Sequence, residues 1–137
     1  MHAIVGVPEF RGRLFVAEHI QGETYSALNK NFRRKLLSKR GLRAARAEFS
    51  EHFPSIFAVV SPGQQIVDAA LVLLNRYVQH DIFYPDALHL ASAQFVAANL
   101  PAPDLVLVTS DGPLLAVARR LRVPTFNPEK DPIGLLD

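Results

Sequence analysis

Apolar positions along the chain switch repeatedly between two periods. Short runs of β-forming residues, RLFVA at residues 13–17, IFAVV at 56–60, LVLVT at 105–109 and VPTF from Val123, read as strands. Between them apolar residues recur every three or four positions. Tyr25, Leu28 and Phe32 predict a helix over residues 21–36, with Glu23 in its first turn, where a carboxylate suits the helix dipole. Ser38 reads as the N-cap of a second helix carrying Leu42, Ala45, Phe49 and Phe53, until Pro54 stops it. Pro62 and Gly63 open a third, with Ile66, Val67, Ala70, Leu73, Leu74 and Tyr77 on one stripe, ending near Gln79. A polar and aromatic loop over residues 80–84 leads through Pro85 to a small-residue-rich helix, 86–99, and Leu114, Leu115, Ala118 and Leu121 mark another. Strands alternating with helices through short connections predict an α/β fold, a three-layer α/β/α sandwich around a central parallel sheet, with residues 1–137 as one domain.

Composition narrows the functional classes. The longest apolar run, residues 69–74, is far short of the ~18 residues that span a bilayer, and the first ten residues show no secretory pattern. The expected compartment is the cytoplasm, with no membrane partner. Because cysteine is absent, any metal must be held by oxygen or imidazole. The net charge of +2 hides an asymmetry: residues 1–50 carry +6 and residues 51–137 carry −4. Such a split suits a polyanionic partner on one side and a cation or basic partner on the other, although ordinary solvated charge gives the same composition.

In open α/β sheets, sites form beyond the carboxyl ends of the strands. Three acids fall at such places: Asp111 after the strand ending at Thr109, Glu23 opening the helix after the first strand, and Asp86 opening a helix after a loop. Taken singly, each reads more readily as a helix-start acid or N-cap, and only their joint placement argues otherwise. Brought together they repel unless a cation neutralises them, and hard oxygen ligands select Mg²⁺ or Mn²⁺. Among the histidines, His89 lies one turn after Asp86 and shares its face, yet a packed or surface role is the favoured reading. There is no phosphate-binding glycine loop and no G-x-S-x-G elbow. Lys30, Arg33, Arg34, Lys35, Lys39, Arg40, Arg43 and Arg46 put eight cations into seventeen residues, and no acid lies between Glu23 and Glu48. That density suits nucleic-acid phosphates; a solvated helical face or a surface for an acidic protein segment accounts for it equally well.

The segments AEHIQGETYSALNK, YPDALHLASA and LVLVTSDGPLLAVARRLRVPTFNP resemble, in order and spacing, the PIN-domain family and its VapC-like toxin branch. The resemblance covers residues 13–128. It implies an α/β/α PIN-like ribonuclease that cuts RNA with Mg²⁺ or Mn²⁺ held by four acids, three of which would be Glu23, Asp86 and Asp111. Thr109 and Ser110 would hydrogen-bond those acids or water. A cognate antitoxin and a homodimer are further implications, and Lys30 to Arg43 of the basic stretch would bind the RNA substrate.

The family's first strand, ending in an aspartate, has no counterpart: residues 1–22 contain no Asp. AIVGV, at residues 3–7, offers a substitute strand without a carboxylate. Either the start codon lies further upstream or the protein is shortened; the first is favoured, because a domain without a central strand buries too little to offset its ordering entropy. Two functions follow: a metal-dependent endoribonuclease toxin, or a catalytically inactive PIN fold that binds RNA or an antitoxin.

Overall fold

The computed structural model describes residues 14–99 and 105–132 in full and the backbone of residues 3–5. Its elements run β1 (Ala3–Val5), β2 (Leu14–Ala17), α1 (Ile20–Arg33), α2 (Lys39–Ile56), β3 (Phe57–Val60), α3 (Gln64–Arg76), α4 (Tyr84–Asn99), β4 (Val106–Val108), α5 (Gly112–Arg120) and β5 (Thr125–Phe126). Among the described residues the strands form one sheet in the order β3-β2-β1-β4-β5.

The expected α/β class holds, but the sheet is not parallel throughout. β2 with β3 and β4 with β5 are parallel; β1 is antiparallel to both β2 and β4. Chain length explains the reversal. Only residues 6–13 separate β1 from β2, whereas a parallel connection needs a crossover of about a dozen residues or more. The substitute strand thus occupies the middle of the sheet, over Ala3–Val5, running opposite to its neighbours. Gly6 and Val7 lie outside the described residues.

Successive residues of β2 point to opposite faces and find different cores. Phe15, with Val60 of β3, packs against Ile66, Ala70, Leu73, Leu90, Leu107, Leu114 and Val117 of α3, α4, β4 and α5. Val16 packs with Ile20 and Phe53 of α1 and α2, joined by Phe49 and Phe57. These two clusters are the outer seams of a three-layer sandwich. Leu107 is fully buried, so its truncation to Ala costs about 2–5 kcal/mol.

Two helix ends depart from the sequence pattern. α1 stops at Arg33 rather than residue 36, because Lys35 adopts φ +60° and the Lys35 and Leu36 N–H groups donate to the Phe32 and Asn31 carbonyls, a Schellman closure. α2 begins as expected, with Ser38 Oγ accepting from Gly41 N–H at 3.0 Å, but runs two residues past Pro54. A proline in a last turn removes a donor without ending the helix, and the buried Phe53 just before it keeps that turn packed.

Candidate metal centre

β2 and β4 point the same way, since each is antiparallel to the strand between them. The segments leaving Ala17 and Val108 therefore emerge at one end of the sheet, where sites are expected. His19 follows β2 as the N-cap residue of α1, and Glu23 lies four residues on, in the first turn. That spacing stacks the two side chains on one helix face, with Glu23 Oε1 3.1 Å from His19 Nε2. α4 supplies a third group: His89 Nε2 stands 3.0 Å from His19 Nε2 and 3.6 Å from the same Glu23 oxygen. The His89 side chain is fully buried, that of His19 is 20% exposed and that of Glu23 41% exposed, giving a socket with a buried floor and an open rim.

Burial lowers the pKa of His19 below its ordinary value; the charge of Glu23, the Pro85 backbone and the charge of Asp86 oppose it in that order without prevailing. The shift favours the neutral imidazole, the form that can ligate a metal.

The other predicted acids stand nearby with their own local tasks. Asp86 turns Oδ2 to the Phe83 N–H at 2.8 Å, one half of a capping box at the start of α4, while its charge still acts on His19. Asp111 caps α5, its Oδ1 accepting from Leu114 N–H at 2.8 Å. Because β1 lies between β2 and β4, Asp111 follows a strand two spacings from the one that leads to Glu23, about 9–10 Å across the sheet. Among the described residues His19, Glu23 and His89 make a ligand-sized cluster, and neither Asp86 nor Asp111 joins it. The three acids expected to converge share a neighbourhood without sharing one tight site. Thr109 is buried and its Oγ1 accepts from Asp111 N–H at 3.1 Å, so the hydroxyl shapes the turn; Ser110 is exposed.

The histidines are what sequence reasoning missed. The i, i+4 spacing of His19 and Glu23 was visible, as was His89 one turn after Asp86. Their meeting was not, because 70 residues separate the two histidines. His89 is packed, as expected, and also faces Glu23.

Of the basic stretch, Lys30, Arg33, Arg34, Lys35, Lys39, Arg40 and Arg43 are all at least partly exposed. Arg46 is half-buried, donating to Asn29 Oδ1 and lying over the Tyr25 ring. Phe32, Lys39, Leu42, Arg43 and Arg46 line a shallow depression between α1 and α2.

The decisive comparison is with protein families: residues 3–120, from β1 to the end of α5, match the PIN domain. The chain belongs to the PIN domain family. PIN domains are usually metal-dependent nucleases acting on RNA or other nucleic acid, generally with Mg²⁺ or Mn²⁺. Among curated proteins and among solved structures, nothing matches the chain. In this PIN domain the His19, Glu23 and His89 cluster would offer a divalent ion two imidazoles and one carboxylate. Such a donor set suits later first-row transition ions better than Mg²⁺, which prefers oxygen, with Mn²⁺ between the two. No helix among the described residues is long and apolar enough to cross a membrane.

Proposed function

We propose that this PIN domain is the endoribonuclease toxin of a type II toxin–antitoxin pair, acting in the cytoplasm on RNA phosphodiester bonds. The observation that carries the nuclease reading is the position of Glu23. It lies at the family's expected end of the sheet, beside His19 and His89 and on a helix whose far end bears Lys30 and Arg33. At 1.5 Å per residue, Arg33 stands about 15 Å along α1 from Glu23, a distance that a few nucleotides of single-stranded RNA bridge. The exposed cations would hold phosphates, and Phe32, 40% exposed within the cationic depression, is available to stack on a base.

Glu23 would hold the divalent ion, with Asp86 and Asp111 contributing negative potential and orienting water at the rim. The chemistry that ion supplies when bound is activation of water and relief of charge on a phosphate oxygen. Thr109 fixes the turn that presents Asp111. Leu71, Val72, Val78 and Phe83 are exposed apolar residues in and after α3, which supports a protein partner there, either the antitoxin or a second copy.

The second reading, a PIN fold that binds RNA or an antitoxin without cutting, is favoured by the direction of β1. Its amino end, not its carboxyl end, lies beside the carboxyl end of β4. Incubating the purified chain with RNA and Mn²⁺ separates the two. The nuclease reading expects cleavage that chelation abolishes and Glu23→Gln removes; intact RNA bound with micromolar affinity favours the second.

A further inference from the structure

Resting on the nuclease reading, and naming the cation on which that site depends, we propose that His19, Glu23 and His89 form a two-imidazole, one-carboxylate centre that selects first-row transition ions over Mg²⁺. The donor atoms already have the dimensions of a coordination sphere. Their separations of 3.0, 3.1 and 3.6 Å bracket the roughly 3.3–3.4 Å edge of a tetrahedron with ligands at about 2.0–2.1 Å. The circle through the three atoms has a radius of about 1.9 Å, so a point at ligating distance from all three exists just off their plane.

A single hydrogen among these atoms must either be shared between two acceptors or leave a lone pair facing the carboxylate. If His19 Nε2 carries the hydrogen, Glu23 and His89 both turn acceptors toward it. If His89 Nε2 carries it, His19 presents a lone pair to the Glu23 carboxylate. One cation satisfies all three lone pairs together. The buried side of the socket is closed by α4 and the rim at Glu23 is open, which leaves positions for water or a phosphate oxygen, as in catalytic rather than structural sites. Asp86 and the Pro85 backbone lie close enough to act on His19 electrostatically, and their negative potential would also favour a cation there. With imidazole in the majority, affinity is expected to follow Mn²⁺, Co²⁺ and Zn²⁺ in rising order, with Mg²⁺ weakest.

Titration calorimetry of tag-free, metal-stripped protein with ZnCl₂, MnCl₂ and MgCl₂ tests this, with Co²⁺ visible absorption as an independent report of ligand geometry. One Zn²⁺ per chain is expected, bound at least about 100-fold more tightly than Mg²⁺. His19→Gln and Glu23→Gln should each weaken Zn²⁺ about 10- to 100-fold and alter the Co²⁺ spectrum. His52→Asn, on the exposed face of α2, should change neither. These ligand variants sit at the rim, so they keep the test independent of whether buried His89→Ala folds. Zn²⁺ binding indifferent to both variants, or Mg²⁺ bound as tightly as Zn²⁺, overturns the proposal. RNA assays on the same samples separate it from the nuclease reading. Cleavage with Mg²⁺ unaffected by His19→Gln overturns the centre and spares the nuclease; the predicted metal binding without cleavage under any ion does the reverse.

Discussion

Asp111 offers a substitution in which structure and chemistry can be pulled apart. Its Oδ1 accepts from Leu114 N–H at 2.8 Å, satisfying one of the free N–H groups at the start of α5, and its charge sits at the positive end of that helix. Asp111→Ala loses both, about 0.5–2 kcal/mol for the cap and about 0.3–1 kcal/mol for the charge. Asp111→Asn keeps an equivalent acceptor and loses only the smaller second contribution. For a domain of this size, 1 kcal/mol corresponds to roughly 3–5 °C in Tm, so Ala should lower the melting temperature by several degrees and Asn by about 1–5 °C. Both variants, assayed well below their Tm for Mn²⁺-dependent RNA cleavage, should lose about 100-fold or more in rate if the charge supports chemistry at the rim. The refuting result is an Asn variant that cleaves like the parent: the carboxylate would then be a cap and nothing more.

Lys35→Gly relieves a left-handed backbone that costs a residue with a Cβ about 1–2 kcal/mol, partly offset by the greater entropy of unfolded glycine; chemical denaturation should show a gain of up to about 1 kcal/mol. Ser38→Ala removes the hydrogen bond to Gly41 N–H and should cost about 1 kcal/mol in the same assay. In the metal-free protein, His19 resists protonation when folded, so the unfolded chain binds more protons below its ordinary pKa of 6.5. Stability should be level above that pH and fall as pH drops from about 6.5 toward the lower native pKa, with His19→Asn flattening the slope in pH-dependent melts. Neutralising Arg33, Lys39 and Arg43 together should weaken RNA binding and shrink the slope of log affinity against log salt by about 0.7 for each phosphate that no longer meets a cation. An unchanged slope would remove the basic face from the RNA path.

Local order was readable from the residues alone. Ser38 signalled α2 by a side-chain oxygen ahead of an apolar stripe, Glu23 and Asp86 marked first turns by charge, and the run around Leu107 read as a strand because both of its faces are covered. Each of these is decided within a few residues, by capping, dipole and periodicity. The end of α1 was less legible, because the residue that closes it in a left-handed conformation is Lys35 rather than glycine. Pro54 misled for a related reason: packing of Phe53 holds a turn that propensity alone would end.

The sequence by itself determined the α/β alternation, the place of Glu23 in a first helical turn and the concentration of cations on one stretch. Tertiary structure decided which groups meet. The eight residues between β1 and β2 forced an antiparallel central strand, and that strand holds the chain after β4, with Asp111, two strand spacings from the chain leading to Glu23. α4, entering from far along the chain, brought His89 to His19 instead. Capping and periodicity act over one or two turns and leave their signature in neighbouring letters. Ligand geometry depends on where separate elements pack, and no spacing along the chain encodes a contact across 70 residues.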